Sequence, residues 1–146
     1  MREATFNALT SLDAIRDATV LDLFAGSGAL GIEALSRGAA HATFVDNDPR
    51  AVAVIRGNLE STGLDAQATV VRADGRRHVT ATGAVDLALL DPPYAFDDEA
   101  WAELLEALDA RIAVVESDRD VPIPESWRVL RSKRYGGTVV TIAERA

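Results

Sequence analysis

Short apolar runs alternate with amphipathic stretches along most of the chain. The runs are nearly continuous in apolar side chains, which is typical of strands that are buried on both faces. They predict strands over Thr19–Phe24, Ala42–Asp46, Ala68–Arg72, Val85–Leu90 and Ile112–Val115. The helical stretches before and between them are Glu3–Ile15, Leu30–Arg37, Arg50–Ser61 and Glu99–Asp109. This alternation predicts an α/β fold with a mostly parallel sheet and helices on both of its faces.

The pattern changes near the C-terminus. Trp127–Arg134 and Thr138–Ala143 are strand-like and are separated by Tyr135-Gly136-Gly137, which predicts a C-terminal antiparallel strand pair. In an open α/β sheet, ligands bind beyond the carboxyl ends of the strands. Acidic residues and glycines follow successive predicted strands there, at positions 22–28, 46, 74 and 91–94.

Composition narrows the range of functions. The chain has 146 residues, a length that predicts a single domain over 1–146, with no cysteine and 2 histidines. A disulfide framework, a thiolate metal site and a cysteine nucleophile are excluded, and we expect no bound metal. Neither a signal peptide nor a membrane span of roughly 20 apolar residues is evident, so we expect a cytoplasmic monomer. The net charge of −8 opposes a nucleic-acid partner unless basic side chains are grouped locally.

A glycine-rich segment, Asp22-Leu23-Phe24-Ala25-Gly26-Ser27-Gly28, follows the first predicted strand. Glycines at such a place allow a tight turn and let a ligand approach the backbone closely. Together with Gly31 they match the dinucleotide pattern GxGxxG, and Asp46 lies near the expected distance for a ribose-binding acid. Taken alone, the segment fits an adenosyl cofactor, NAD or a turn that binds nothing.

The acids near this segment have different expected roles. Asp46 can accept both ribose hydroxyls of an adenosyl group, whereas Asp48 precedes Pro49 and is expected to cap a helix. Asp74 either accepts from the adenine amino group or is a solvated turn residue. Asp22 either faces a cationic part of the cofactor or holds the loop. The predicted cofactor-binding residues are Asp22, Phe24, Ala25, Gly26, Ser27, Gly28, Asp46, Asn47 and Asp74.

The tetrapeptide Asp91-Pro92-Pro93-Tyr94 directly follows the predicted buried strand Val85–Leu90. Prolines fix the backbone and leave carbonyls without competing local donors. The Asp91 carboxylate and the Pro92 carbonyl can accept the N–H bonds of an exocyclic amine on a base and aim its lone pair at an electrophile. Tyr94 offers a stacking face worth about 1–3 kcal/mol, and positioning of this kind recovers about 7–11 kcal/mol of a barrier. Asp91, Pro92, Pro93 and Tyr94 are therefore the predicted catalytic residues of a methyltransferase that acts on a base.

With these residues the chain resembles the RsmD family, the bacterial methyltransferases that modify guanine N2 in 16S ribosomal RNA. The resemblance covers nearly the whole chain and extends to Arg2-Glu3, Phe6–Leu9, Gly31–Ala34, Ser36–Ala39, Phe44–Asp46 and Tyr135-Gly136 with Thr138. It implies a Rossmann-like class I methyltransferase fold and S-adenosylmethionine as the cofactor. It also implies 16S rRNA or the small ribosomal subunit as the partner.

One departure from the family bears on RNA binding. Its members usually carry a basic segment with a β-hairpin ahead of the Arg-Glu helix, whereas Met1 stands almost at that helix here. We expect a chain without this segment to bind the cofactor but to methylate RNA poorly. Two basic clusters remain as candidate phosphate-binding surfaces, namely Arg72, Arg76, Arg77 and His78, and then Arg128, Arg131, Lys133 and Arg134.

Three alternatives stay open on the sequence. An adenine-N6 or cytosine-N4 DNA methyltransferase uses the same chemistry but normally needs an added recognition region. An NAD-dependent oxidoreductase explains the glycines and Asp46 but gives residues 91–94 no role. A non-catalytic adenosyl-binding module is opposed by the intact tetrapeptide.

Overall fold

A single seven-stranded sheet in the order β3-β2-β1-β4-β5-β7-β6 organises the computed structural model, which describes residues 1–93 and 95–146. Neighbours among β1 to β5 pair in parallel, and β7 runs antiparallel to both β5 and β6. This confirms the predicted mostly parallel sheet with a C-terminal antiparallel pair. The strands are β1 Thr19–Leu23, β2 His41–Asp46, β3 Ala68–Arg72, β4 Val85–Leu90, β5 Ala110–Ser117, β6 Trp127–Tyr135 and β7 Thr138–Arg145.

The longer helices agree with the predicted segments except at their ends, whereas the single turn between β3 and β4 was not predicted. They are α1 Arg2–Ser11, α2 Ala29–Ser36, α3 Pro49–Thr62, the single turn α4 Gly75–His78, and α5 Asp98–Ala107. The expectation that the first helix reaches Ile15 is wrong. Ala14 and Ile15 are buried and extend the amphipathic pattern, but Asp13 has a φ of 54° and the helix has already ended. The Asp48 side chain accepts a hydrogen bond from the backbone N–H of Arg50, which confirms the predicted cap of α3.

The core lies on both faces of the sheet, as the continuous apolar strands predicted. In β4, Leu87 and Leu89 belong to the cluster that also contains Phe6, Phe44 and Ile55. Ala88 and Leu90 belong to the opposite cluster, with Trp101 of α5. Burial of a large apolar side chain contributes roughly 1.5–3 kcal/mol, so the central strands are held firmly from two sides.

This packing brings the carboxyl ends of the parallel strands to one edge of the sheet. Leu23 of β1 pairs with both Val45 of β2 and Leu90 of β4, and Leu90 pairs in turn with Val115 of β5. Residues 24, 46, 91 and 116 therefore emerge side by side. In the part of the chain that the structure describes, no helix is long and apolar enough to cross a membrane.

Candidate active site

The glycine loop between β1 and α2 is a tight turn whose backbone lies in the left-handed region at three places. Phe24, Gly26 and Gly28 have φ values of 64°, 59° and 82°. Glycine adopts this conformation freely, but a phenylalanine there is strained by about 1–3 kcal/mol and must be held by its surroundings. The Gly26 N–H donates to Asp46 Oδ2 at 2.9 Å, and the Gly28 N–H donates to the Ala25 carbonyl at 2.8 Å. The loop is thus shaped before any ligand arrives.

Gly31 lets α2 pack directly against the sheet beneath this loop. A Cβ at this position would lie 2.4 Å from Cε2 of Phe44 and 3.1 Å from Oδ2 of Asp22. The Gly31 N–H donates to the same Asp22 oxygen at 2.9 Å. Asp22 therefore has the loop-holding role that was one of its two expected functions. Its carboxyl also lines a cleft with Gly26 and Ser27, so the second role stays a prediction.

Asp22 is only 1% exposed. Burial raises the pKa of its carboxyl to about 8, the Gly31 hydrogen bond acts in the opposite direction, and the nearby carboxylates of Asp91, Asp46 and Glu116 raise it further. A cationic group beside these acids would relieve their mutual repulsion.

A second cleft, of about 530 Å³, opens beside β2 and β3. Asp46 accepts there from the backbone N–H of Asp48 through Oδ1 at 2.9 Å, while Asp74 caps α4 by accepting from Arg76 N at 3.0 Å. The Phe24 ring sits against Gly75, where a Cβ would lie 2.9 Å from Cε1. The cleft is lined by Phe24, Asp46, Asn47, Asp48, Asp74, Gly75, Arg76, Asp91, Pro93 and Phe96. The structure thus brings together the predicted ribose and adenine ligands Asp46, Asn47 and Asp74.

Asp91, Pro92 and Pro93 line a third cleft, of about 280 Å³, and Tyr94 lies outside the described residues. The expectation that both proline carbonyls lack local donors is wrong for Pro93. Its carbonyl accepts from the Phe96 N–H at 3.1 Å, because the chain turns back immediately after the tetrapeptide. Phe96 packs edge-on against Phe24 and Trp101, with ring centroids 5.5 Å and 5.1 Å apart.

Asp91 joins the three clefts, since it lines all of them. Its neighbour is Glu116, near the end of β5, and their carboxyl groups are in hydrogen-bond contact. Partial burial raises the pKa of both groups. The pKa of Glu116 reaches about 7 because the negative charge and hydrogen bond of Asp91 add to the effect of burial, whereas Arg2 opposes it. Burial also raises the pKa of Asp91, and the hydrogen bond with Glu116 acts there in the opposite direction.

Arg119 anchors the segment that follows the tetrapeptide. Its Nη2 donates to the Phe96 carbonyl at 3.1 Å and lies 2.8 Å from Oδ1 of Asp98 at the start of α5. These contacts tie Phe96 to the start of α5.

Sequence reasoning missed the residues that complete these clefts, above all Glu116, Phe96 and Trp101. A signal for Glu116 was present, because it directly follows the predicted strand Ile112–Val115 and so satisfies the strand-end rule that identified Asp46 and Asp91. The aromatic residues had no comparable signal, since both are separated from the strand end by the turn. Among the described residues, no group of three or more His, Asp or Glu side chains is arranged to hold a metal ion.

Some members of the basic clusters have acidic partners. Arg76 is 2.9 Å from Glu103, and Arg128 pairs with Glu144. Lys133 and Arg134 are exposed on β6, which is the edge strand of the sheet.

Comparison with known proteins settles the family. The family described as "Conserved hypothetical protein 95" matches residues 1–144. The chain is 40% identical to the Bacillus subtilis protein YlbH over 84% of this chain and 73% of that protein. It is 33% identical to Ribosomal RNA small subunit methyltransferase D of Haemophilus influenzae, over 93% of this chain and 75% of the relative. The chain belongs to the RsmD family.

The RsmD fold is also that of solved structures. A Streptococcus pyogenes structure titled a conserved hypothetical protein superposes with a TM-score of 0.86 at 33% identity, covering 100% of this chain and 96% of that one. The predicted Rossmann-like fold of S-adenosylmethionine-dependent methyltransferases is confirmed.

Proposed function

We propose that this RsmD-family chain transfers the methyl group of S-adenosylmethionine to the exocyclic N2 amine of a guanine in 16S rRNA of the small ribosomal subunit. The observation that carries the proposal is the placement of Asp91-Pro92-Pro93 at the end of β4, where Asp91 adjoins both the glycine loop and the Asp46 cleft. A group held in those clefts would face an amine held at Asp91.

The residues fit an S-adenosylmethionine molecule. Asp46 has a charged acceptor for ribose hydroxyls beside Asn47, and Asp74 lies across the same cleft. Phe24 and Phe96 supply apolar walls for an adenine ring, and about 530 Å³ lies within the usual range for small-molecule sites. When bound, this cofactor supplies an electrophilic methyl group on a positively charged sulfur.

Electrostatics favours that cofactor over NAD. Asp22, Asp46, Asp91 and Glu116 lie around the glycine loop, and the pKa of Asp22 is raised first by burial and then by the charges of the other three. A dinucleotide would place an anionic pyrophosphate near these carboxylates, whereas a cationic ligand is attracted to them. The negative charge of NAD is therefore unfavourable at this site.

The protein's contribution to the reaction is mainly orientation. The Asp91 carboxylate and the Pro92 carbonyl would accept the two N–H bonds of the amine, so that the nitrogen lone pair faces the glycine-loop cleft. The rigid β4 strand below and the turn tied by Phe96 and Arg119 would keep these acceptors in place. As the N–C bond forms, the amine becomes acidic and its proton can pass to the acidic pair of Asp91 and Glu116.

Ribosomal RNA as the substrate is supported by relatives named Ribosomal RNA small subunit methyltransferase D. The exposed Lys133 and Arg134 on the edge strand β6 give a basic surface that phosphates can approach. The guanine-N2 position is supported by the resemblance to the RsmD family.

A binding experiment tests the cofactor first. Calorimetric titration with S-adenosylhomocysteine, with NADH in a parallel cell, should show binding of the first compound alone. Binding of NADH alone to a folded sample would show that the glycine loop has another ligand.

A product analysis tests the reaction. Small ribosomal subunits that lack the modification are incubated with the protein and S-adenosylmethionine carrying a labelled methyl group, and the RNA is digested to nucleosides. Label in N2-methylguanosine is expected, with none for Asp91→Ala. A parallel reaction uses DNA as the substrate. Label in N6-methyladenine or N4-methylcytosine of that DNA, with none in the RNA, would support the DNA-methyltransferase alternative.

A further inference from the structure

Glu116 lies next to the proposed amine-binding group, and its position suits a role beyond accepting the released proton. Leu90 pairs with Val115 in the parallel register of β4 and β5, so Asp91 and Glu116 leave the sheet as neighbours. Glu116 lines the cleft of Pro92 and Pro93 as well as the glycine-loop cleft. A base whose amine is held at Asp91 would therefore present its adjacent ring nitrogen toward Glu116.

That ring nitrogen differs between bases. In guanine the exocyclic amine lies between N3, which accepts, and N1, which carries a hydrogen and donates on the Watson–Crick edge. In adenine and cytosine the corresponding ring nitrogen carries none and accepts. Enzymes that take a base out of its stack recognise it by hydrogen bonds to this edge. A carboxylate at this place would accept from guanine and repel the other two bases.

We propose that Glu116 accepts a hydrogen bond from N1–H of the target guanine and thereby sets the preference for guanine at this site. The inference rests on the proposed function and adds to it the residue that distinguishes the base. Asp91 would accept from the exocyclic amine. The ends of the neighbouring strands β4 and β5 would then bind two neighbouring hydrogen-bond donors of one base.

The charges around Glu116 suit a group that changes its protonation on binding. It faces Asp91 on β4, Arg2 on α1 and, farther away, Asp22 on β1. In the free protein the pKa of Glu116 is raised to about 7 by burial and by the charge of Asp91, so that its carboxyl group holds a proton part of the time at neutral pH. When guanine binds, the Glu116 proton leaves to solvent and the N1–H takes its place. The nearby guanidinium of Arg2 and a cationic ligand in the glycine-loop cleft both favour the ionised form.

The test replaces the target guanine by 2-aminopurine, which keeps the 2-amine but lacks both N1–H and the 6-oxygen. Small subunits are assembled with 16S rRNA carrying either base at the mapped target position, and methylation rates are compared for wild type and Glu116→Gln. Wild type should prefer guanine by about 100-fold or more, since a site built to pair with a donor rejects an analogue that lacks it. Glu116→Gln should reduce this ratio at least about tenfold, because the glutamine amide can donate to the bare N1.

The matched control is Glu60→Gln, an exposed residue of α3 that should leave the ratio unchanged. Equal urea midpoints and equal S-adenosylhomocysteine affinities would show that Glu116→Gln is folded and binds the cofactor. If Glu116 only supported the fold, its replacement would change the methylation rates on guanine and on 2-aminopurine by the same factor. Hence an unchanged guanine to 2-aminopurine ratio in Glu116→Gln overturns the inference while leaving the proposed function intact.

Wild-type behaviour separates the two claims further. Equal wild-type rates on guanine and 2-aminopurine would also overturn the role of Glu116. If wild type methylates adenine or cytosine and makes no N2-methylguanosine, the proposed function fails, and the role of Glu116 in selecting guanine fails with it.

Discussion

Gly31→Ala should destabilise the protein because α2 packs too closely on β2 to admit a methyl group. The new Cβ would lie 2.4 Å and 2.8 Å from two carbons of the fully buried Phe44 ring. Ordinary contacts begin near 3.4 Å, so the ring or the helix must move by about 1 Å. Overpacking of this kind costs about 1–3 kcal/mol. Two contacts below 3.0 Å place this substitution in the upper part of that range, at about 2–3 kcal/mol. Alanine in a helix recovers about 1 kcal/mol relative to glycine, which leaves an expected net loss of about 1–2 kcal/mol.

Gly57→Ala is the matched control. Gly57 lies on the exposed side of α3, and a Cβ there would meet nothing within 4 Å. The same chemical change should therefore stabilise the protein by about 0.5–1 kcal/mol. The free energies of unfolding of both variants are measured by urea titration. An equal slope of the free energy against urea concentration in the variants and wild type would show that their unfolded states are comparable.

The Gly31→Ala substitution should also weaken cofactor binding. Displacement of α2 would move the Gly31 N–H away from Asp22 and disturb the loop at Gly26 and Gly28, so S-adenosylhomocysteine should bind more weakly to Gly31→Ala than to Gly57→Ala. A Gly31→Ala protein as stable as wild type, or more so, would refute the packing argument.

Further variants test the charges of the site. Asp46→Asn should weaken S-adenosylhomocysteine binding about 10–100-fold in calorimetry, because charge-assisted bonds to the ribose are lost. Asp48→Ala removes a helix cap instead, so it should cost about 1 kcal/mol of stability with little effect on affinity. The pKa of Asp22 is raised to about 8 in the folded protein, whereas its ordinary value is 3.8. Between these two pH values the folded protein keeps the Asp22 proton and the unfolded chain has lost it. Stability should therefore fall as pH rises from about 4 to 8, and urea titrations of Asp22→Asn should show a smaller decline. Part of the decline should remain, because the pKa values of Glu116 and Asp91 are also raised. Lys133→Ala with Arg134→Ala should flatten the dependence of RNA affinity on salt by about 0.7–0.9 log units per lost phosphate contact, and an unchanged slope would exclude them from the interface.

The sheet could be predicted from the sequence because its central strands are buried on both faces. Leu87 and Leu89 pack on one side while Ala88 and Leu90 pack on the other, so the whole run had to be apolar. The order of the last strands could not be predicted in this way. β7 inserts between β5 and β6 by backbone pairing, and the side chains of a hairpin do not specify which of its strands joins the sheet.

The site was predictable where a residue lies at or just after the carboxyl end of a strand. Asp46 and Asp91 satisfy this rule, and Glu116 satisfies it equally although it was not selected. Phe96 reaches the site only because the chain turns back after Pro93 and is tied by Arg119, a contact between residues 23 positions apart. Contacts of that kind depend on tertiary packing, which local sequence patterns do not encode.

The distribution of charge reconciles an acidic chain with an RNA partner. The net charge of −8 seemed to oppose phosphate binding, but Asp22, Asp46, Asp91 and Glu116 are gathered at the carboxyl ends of the parallel strands. There they would favour a cationic cofactor and accept hydrogen bonds from the amine of a base. Lys133 and Arg134 lie on the edge strand β6, separated from β4 in the sheet by β5 and β7. Because exposed charges are screened beyond about 10 Å, basic residues at the edge can attract RNA while acids in the clefts bind the cofactor.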